Sequence, residues 1–284
     1  MKPAPFVYHR PASLSEMLTL LEEHGDDAKV LAGGQSLVAA MNFRLARPSM
    51  LIDANRLAEL SSVMADGDHL VIGALTRHAT FHKPVVDHPI GHLLARVVRF
   101  IAHYPIRQRG TFGGSLCHAD PASEWCLVST VLDAEMLIES KAGKRRLPAK
   151  EFFKGTFTTA LKPNELLTHI RVPLGNRAAK GGFYEFSRRA GDFALAMALV
   201  TLECDGSRIK AARLGLGGIA DRAVRLPELE AKLVGQNADE KTFKEIAAEA
   251  SDSITPTSDI HGSTEYRKDL IKAMLSRALS EAAA

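Results

Sequence analysis

An α+β fold in two parts is what this sequence predicts, and three observations predict it. Near the start a strand, a glycine turn, a helix and a second strand follow one another. In the middle a hairpin and a strand lead to a polar, glycine-rich break, and beyond the break come three strand-like runs followed only by helical patterns. At 284 residues the chain exceeds what one hydrophobic core usually serves, so more than one domain is expected.

Ser13 stands before Leu14, Met17, Leu18 and Leu21, an apolar face at helical spacing. Glu16 is placed to complete a capping box, and Gly25 ends the helix after His24. Ala28 to Ala32 reads as a short strand, Leu37 to Leu45 as a helix closed by Arg47-Pro48, and Met50 to Asp53 as the next strand. His69 to Ala74 reads as a strand, Leu75 to Ala79 as a loop and Ile90 to Ile101 as a helix. Ala122 to Leu132 reads as a buried helix around the single Trp125, with Pro121 suited to its first turn.

Ala134 to Glu139 and Lys144 to Leu147 flank a turn at Gly143, a hairpin whose Arg145 and Arg146 read as a solvated face. Glu165 to Val172 is a strand stopped by Pro173, and Leu174 to Gly182 is the candidate domain boundary. Phe183 to Arg189, Ala194 to Glu203 and Lys210 to Ile219 form an antiparallel meander. Pro227 to Leu233, Asp239 to Ala250 and Glu265 to Ala282 carry helical spacing, and no solenoid repeat is present.

Composition narrows the function. Hydrophobic residues make up 46% and charged residues 24%, the balance of an ordinary globular protein. With 36 basic against 33 acidic residues, net charge gives no reason to expect nucleic acid or an anionic membrane as partner. The N-terminal residues lack a secretory signal and no apolar run approaches a membrane span, so a cytoplasmic protein without membrane insertion is expected. Cys117, Cys126 and Cys204 have no paired spacing, which predicts buried or half-buried thiols and no disulfide, zinc site or iron-sulfur cluster in this chain.

The chemistry-bearing pattern is a twin. Gly33-Gly34-Gln35-Ser36 and Gly113-Gly114-Ser115 each precede Leu and a segment able to be helical. Glycine lets backbone N–H groups approach a phosphate, a helix start adds donors, and Ser36, Thr111 and Ser115 offer hydroxyls, so the two turns are suited to converge on one ligand. A pair of tight turns without a ligand fits the same residues. Neither GxGxxG nor GK[ST] occurs, which excludes the Rossmann and P-loop versions. His118 and Asp120 are two ligands without a third, so no metal is expected, and Asp120 reads equally as a ligand contact or a helix-entry cap. GGSL is no GxSxG elbow, and no catalytic residue is assigned.

Four segments carry a resemblance: Ala32 to Leu37 (AGGQSL), Ile106 to Pro121 (IRQRGTFGGSLCHADP), Glu165 to Pro173 (ELLTHIRVP) and Phe186 to Ala194 (FSRRAGDFA). With Leu214 to Ile219 and Glu265 to Leu270 they make the chain similar, end to end, to the FAD-binding medium subunits of the molybdenum hydroxylases. That family includes carbon monoxide and xanthine dehydrogenases. The resemblance implies a PCMH-type FAD-binding domain at 1–176, built of two α/β subdomains near 1–55 and 56–176. A C-terminal domain at 177–284 follows, with a three-stranded antiparallel sheet and a helical bundle.

By the same resemblance Ala32, Gly33, Gly34, Gln35, Ser36 and Leu37, with Thr111, Phe112, Gly113, Gly114 and Ser115, surround the FAD pyrophosphate and its ribityl and ribose oxygens. His118 and Asp120 lie toward the ribityl side, and Leu166 near the adenine or the isoalloxazine. Phe193 stands where relatives often have a Tyr over the flavin ring. Glu185 stands where some relatives carry a Lys, which implies a less favoured anionic reduced flavin here. The implied role is an oxidoreductase subunit whose FAD takes electrons from the [2Fe-2S] clusters of a small partner subunit and passes them to NAD+, a quinone, O2 or another acceptor. Substrate is hydroxylated at the molybdopterin cofactor of a large partner, in a dimer of heterotrimers. A stand-alone PCMH-type flavin oxidase or reductase and a cofactor-free interaction subunit are the alternatives.

Overall fold

The structure, a computed structural model, describes residues 2–284. Its first unit alternates strands and helices: β1 (Val7–His9), α1 (Leu14–His24), β2 (Ala28–Leu31), α2 (Leu37–Asn42) and β3 (Met50–Asp53). The three strands pair in parallel in the order β1-β3-β2, so each crossover carries a helix. Ser13 caps α1 as its sequence predicts, accepting from the Glu16 amide at 3.2 Å, and Met17, Leu18 and Leu21 bury against Ile52, Leu57 and Leu60. Helix α2 is shorter than its apolar run suggests, because Arg44 turns left-handed at φ 59°. Strand β1 has no signal in the sequence: three partly exposed residues in a proline-rich leader are extended only by pairing with β3.

The second unit contains β4 (Val63–Asp66), β5 (His69–Gly73), α3 (Pro89–Val97), α4 (Tyr104–Arg107), α5 (Phe112–His118), α6 (Glu124–Val131), β6 (Glu135–Ser140), β7 (Gly143–Pro148), α7 (Ala149–Phe152), β8 (Phe153–Gly155), β9 (Thr158–Thr159) and β10 (Leu166–Pro173). An antiparallel five-stranded sheet runs β4-β5-β10-β6-β7, with β10 in the centre and a bulge between Leu167 and His169. Helices α3, α5 and α6 cover one face through Leu94, Leu116, Val128 and a stack of Phe81, Phe112 and Trp125.

Two helix expectations are corrected. The helix expected to reach Ile101 stops at Val97, because the Arg107 guanidinium donates to the Ile101 and Ala102 carbonyls at 2.7 Å and Ala102 turns to φ 42°. Helix α6 begins at Glu124 under a Ser123 cap, so Pro121 lies outside it, in a turn closed by the Ala122 amide donating to Asp120 Oδ1.

The third unit is β11 (Lys180–Phe186), β12 (Ala196–Asp205), β13 (Arg208–Gly217), β14 (Val224–Arg225), α8 (Pro227–Leu233), α9 (Glu240–Ser253) and α10 (Thr264–Ala283). The predicted three-stranded meander is present, extended by the two-residue β14. Residues 196–202 of β12 are buried throughout because both faces of this sheet are covered. Phe183, Met197 and Leu199 pack on the second unit, and Ala198, Val200 and Leu216 pack on α8, α9 and α10. No helix among the described residues is long and apolar enough to cross a membrane.

Candidate cofactor site

The first glycine turn joins β2 to α2. Gly34 has φ 74°, a conformation that disfavours a side chain, and a Cβ on Gly33 would lie 2.4 Å from the Arg109 carbonyl oxygen and 2.7 Å from the Gly110 Cα. Gly33 is therefore the place where the first turn rests on the backbone leading into the second. None of the backbone N–H groups from Gly33 to Leu37 has an acceptor among the described residues. Gln35 and Ser36 are exposed, and the Ser36 side chain makes no cap bond. A row of free amides beside a hydroxyl, in a turn too tight for side chains, is an anion cradle.

A side-chain network braces that turn from below. Tyr8 Oη donates to Asp53 Oδ2 at 2.5 Å, and Asn55 Nδ2 donates to Asp53 Oδ1 and, at 2.8 Å, to the Ala32 carbonyl. Arg77 donates to Asn55 Oδ1 at 2.6 Å and also to the Arg109 carbonyl, which ties the two glycine segments together. Burial acts to raise the Asp53 carboxyl, but hydrogen bonds from Tyr8 and Asn55 and the Arg10 charge hold it below the ordinary carboxylate range. Sequence reasoning missed Tyr8, Asn55 and Arg77. They are far apart in the chain, and no local spacing marks them.

The second glycine pair is used differently. Gly113 and Gly114 lie inside the first turn of α5 rather than before it. The Phe112 amide donates to Thr76 O, Gly113 to Ala74 O, Gly114 to Thr111 Oγ1 and Ser115 to Thr111 O, at 2.9 to 3.1 Å. The amides expected to face a phosphate are thus engaged within the protein. Gly113 is needed because a Cβ there would lie 2.5 Å from that of Ala74. Phe112 is fully buried in the aromatic stack and Thr111 is 2% exposed, whereas Ser115 is half-buried.

The remaining candidates spread outward. His118 is exposed and packs on the Phe157 ring at 4.8 Å, while Asp120 is half-buried and holds the turn before α6. Leu166 is 6% exposed, in the core that Ala32 also packs against. Phe193 is 70% exposed, on the loop 187–195 between β11 and β12. That loop rests on the second unit through Gly191, where an added Cβ would meet the His103 ring at 2.5 Å. An open aromatic face suits a planar partner.

No group of three His, Cys, Asp or Glu side chains placed to hold a metal ion occurs among the described residues. All three thiols are free: Cys126 is buried and Cys204 half-buried as expected, but Cys117 is exposed as a residue.

Comparison with known proteins identifies the family. Residues 4–175 match the family described as FAD binding domain in molybdopterin dehydrogenase, and residues 182–282 match the CO dehydrogenase flavoprotein C-terminal domain. The chain is 39% identical to the 6-hydroxypseudooxynicotine dehydrogenase complex subunit alpha of Paenarthrobacter nicotinovorans, over 99% of this chain and 96% of that one. It is 35% identical to the carbon monoxide dehydrogenase medium chain of Hydrogenophaga pseudoflava, over 99% and 98%. The solved structure of quinoline 2-oxidoreductase from Pseudomonas putida 86 superposes with a TM-score of 0.94 at 38% identity, covering 100% of this chain and 98% of that one.

Proposed function

Because this chain belongs to the FAD-binding medium subunits of the molybdenum hydroxylase family, we propose that its cradle at Gly33 to Leu37 holds the FAD pyrophosphate. The observation that carries the placement is the run of backbone N–H groups without acceptors in a turn locked onto Arg109 and Gly110. Gly33, Gly34, Gln35, Ser36 and Leu37 supply those amides, with Ala32 closing the turn behind them. Ser36 and Ser115 add hydroxyl donors. Thr111, Phe112, Gly113 and Gly114 act mainly as the rigid wall against which the cradle is set. His118 and Asp120 border the site, Leu166 backs it from the core, and Phe193 covers the flavin ring.

FAD supplies the ability to collect single electrons and release them as a pair. The protein's part is to bind, orient and shield it. In our reading a small partner subunit with [2Fe-2S] clusters delivers the electrons, a large molybdopterin subunit oxidises the substrate, and an external acceptor takes the pair. The assembly is a cytoplasmic dimer of heterotrimers, and the polar segment 174–182 joins the FAD-binding domain to the C-terminal domain.

Gly34→Val tests the placement. Valine at φ 74° strains the turn and crowds Val38 and Leu31, so purified Gly34→Val should emerge from gel filtration without flavin. Gly67→Ala, at φ 59° in open space, should keep its flavin and controls for backbone strain alone. Stoichiometric FAD on Gly34→Val would sink the assignment.

A further inference from the structure

The inner face of the C-terminal sheet carries a side-chain pair that apolar packing does not explain. Alternation along β11 turns Phe183 and Glu185 toward the FAD-binding half, while Tyr184 and Phe186 turn toward the C-terminal helices. There Glu185 meets Glu124, the first residue of α6, carboxyl to carboxyl. Glu185 Oε2 is sealed from solvent and finds no donor among the N–H and O–H groups of the described residues. A proton on either carboxyl closes an O–H···O bond between them and satisfies it.

The groups around the pair make the problem sharper. Asp120 adds a negative charge from the loop before α6, and the Cys126 thiol stands nearby on α6. No lysine, arginine or histidine among the described residues compensates either glutamate. Two carboxylates confined together without a cation do not both ionise, and one proton between them removes the repulsion and fills the empty acceptor.

We infer that Glu124 and Glu185 hold one proton between them, and that this O–H···O bond clasps the C-terminal sheet to the FAD-binding half at the root of the loop 187–195, positioning Phe193. The clasp itself is independent of the FAD reading above, whereas its effect on Phe193 rests on it. Burial, then the partner's charge, pushes the Glu185 carboxyl above the ordinary range, and burial and Asp120 do the same for Glu124. A carboxyl raised in the folded state contributes stability that is full below its unfolded value of about 4.3 and is lost as pH rises through its folded value. The clasp is therefore closed in acid and opens toward alkaline pH. Glutamine at either position donates an amide N–H to the remaining carboxylate and keeps it closed.

The test uses the full chain as wild type, Glu185→Gln and Glu124→Gln, and compares thermal unfolding without FAD and FAD dissociation by flavin fluorescence. Between about pH 6 and about pH 9 the wild type should lose FAD affinity about tenfold and fall in melting temperature, while each variant changes less than about twofold. A flat wild-type profile, or variants that follow the wild-type slope, would overturn the clasp. If FAD binds at no pH, the cofactor reading falls and the unfolding curves still decide the pair. Should neither variant fold, the infrared band of a protonated carboxyl in the wild type near neutral pH decides it: presence supports the shared proton, and absence ends it.

Discussion

Gly33 and Gly34 are adjacent and do different jobs. Gly34 is glycine for its dihedral angle, whereas Gly33 is glycine for what it touches, the Arg109 carbonyl and the Gly110 Cα. A methyl group at Gly33 displaces backbone rather than a flexible side chain. Gly33→Ala should cost about 1–3 kcal/mol of stability, as overpacking does, and weaken FAD as the cradle shifts off its wall. Urea unfolding and flavin titration of the same sample check both effects, and an unchanged midpoint with unchanged affinity would refute the contact. Glu185 shows how environment redefines a residue. Its position suggests an added negative charge, yet against Glu124 the structure places it where a neutral carboxyl is favoured.

Two glycine segments that look alike in sequence become unlike elements. The first turn keeps its amides free because α2 starts only at Leu37, leaving Gly33 to Ser36 outside the helix. The second is drawn into α5 by Thr111, whose hydroxyl and carbonyl take the amides of Gly114 and Ser115. Another element, α10, is tied to the end of the loop 187–195 by one buried cation. Arg267 is 3% exposed and donates to the Leu195 and Gly218 carbonyls and to Asp259 at 2.7–2.8 Å. Arg267→Met leaves the Leu195 and Gly218 carbonyls without this donor, while exposed Asp259 keeps its His261 and Gly262 amides and turns to water, so a loss of about 1–3 kcal/mol is expected. A melting temperature within a degree or so of wild type would contradict that account.

Across the whole molecule, buried His78 and the half-buried Glu124–Glu185 pair make stability depend on pH with opposite signs. His78 accepts a hydrogen bond from the Trp125 indole at 3.0 Å, and burial, then the charges of Arg107 and Arg77, depress it to about 4. Its unfolded form takes a proton that the folded form refuses, so stability falls as pH drops from about 6.5 toward about 4, by on the order of 3 kcal/mol. His78→Gln keeps an acceptor for Trp125 without a titrating ring and should flatten that acid limb in denaturant unfolding. An acid limb as steep as wild type would show that other groups carry it. With the Glu124–Glu185 pair losing stability in the opposite direction from about 4.3 upward, the two slopes oppose each other up to about 6.5, and stability of the full chain should fall only above that.

What the sequence determined by itself is whatever depends on neighbours in the chain. The capped helix α1, the hairpin turn at Gly143, the meander and the C-terminal helices were legible because a periodic apolar face or a turn residue is a local property. So was the first glycine turn between a strand and a helix, although the twin at Gly113-Gly114 shows that a Gly-Gly pair does not by itself leave its donors unpaired. Tertiary structure decided the rest: the extended β1, the start of α6 at Glu124, the Tyr8–Asp53–Asn55–Arg77 brace and the meeting of Glu124 with Glu185. Each of these depends on groups far apart in the chain, and a hydrogen bond or a shared proton exists only once folding has brought both partners out of water and within reach.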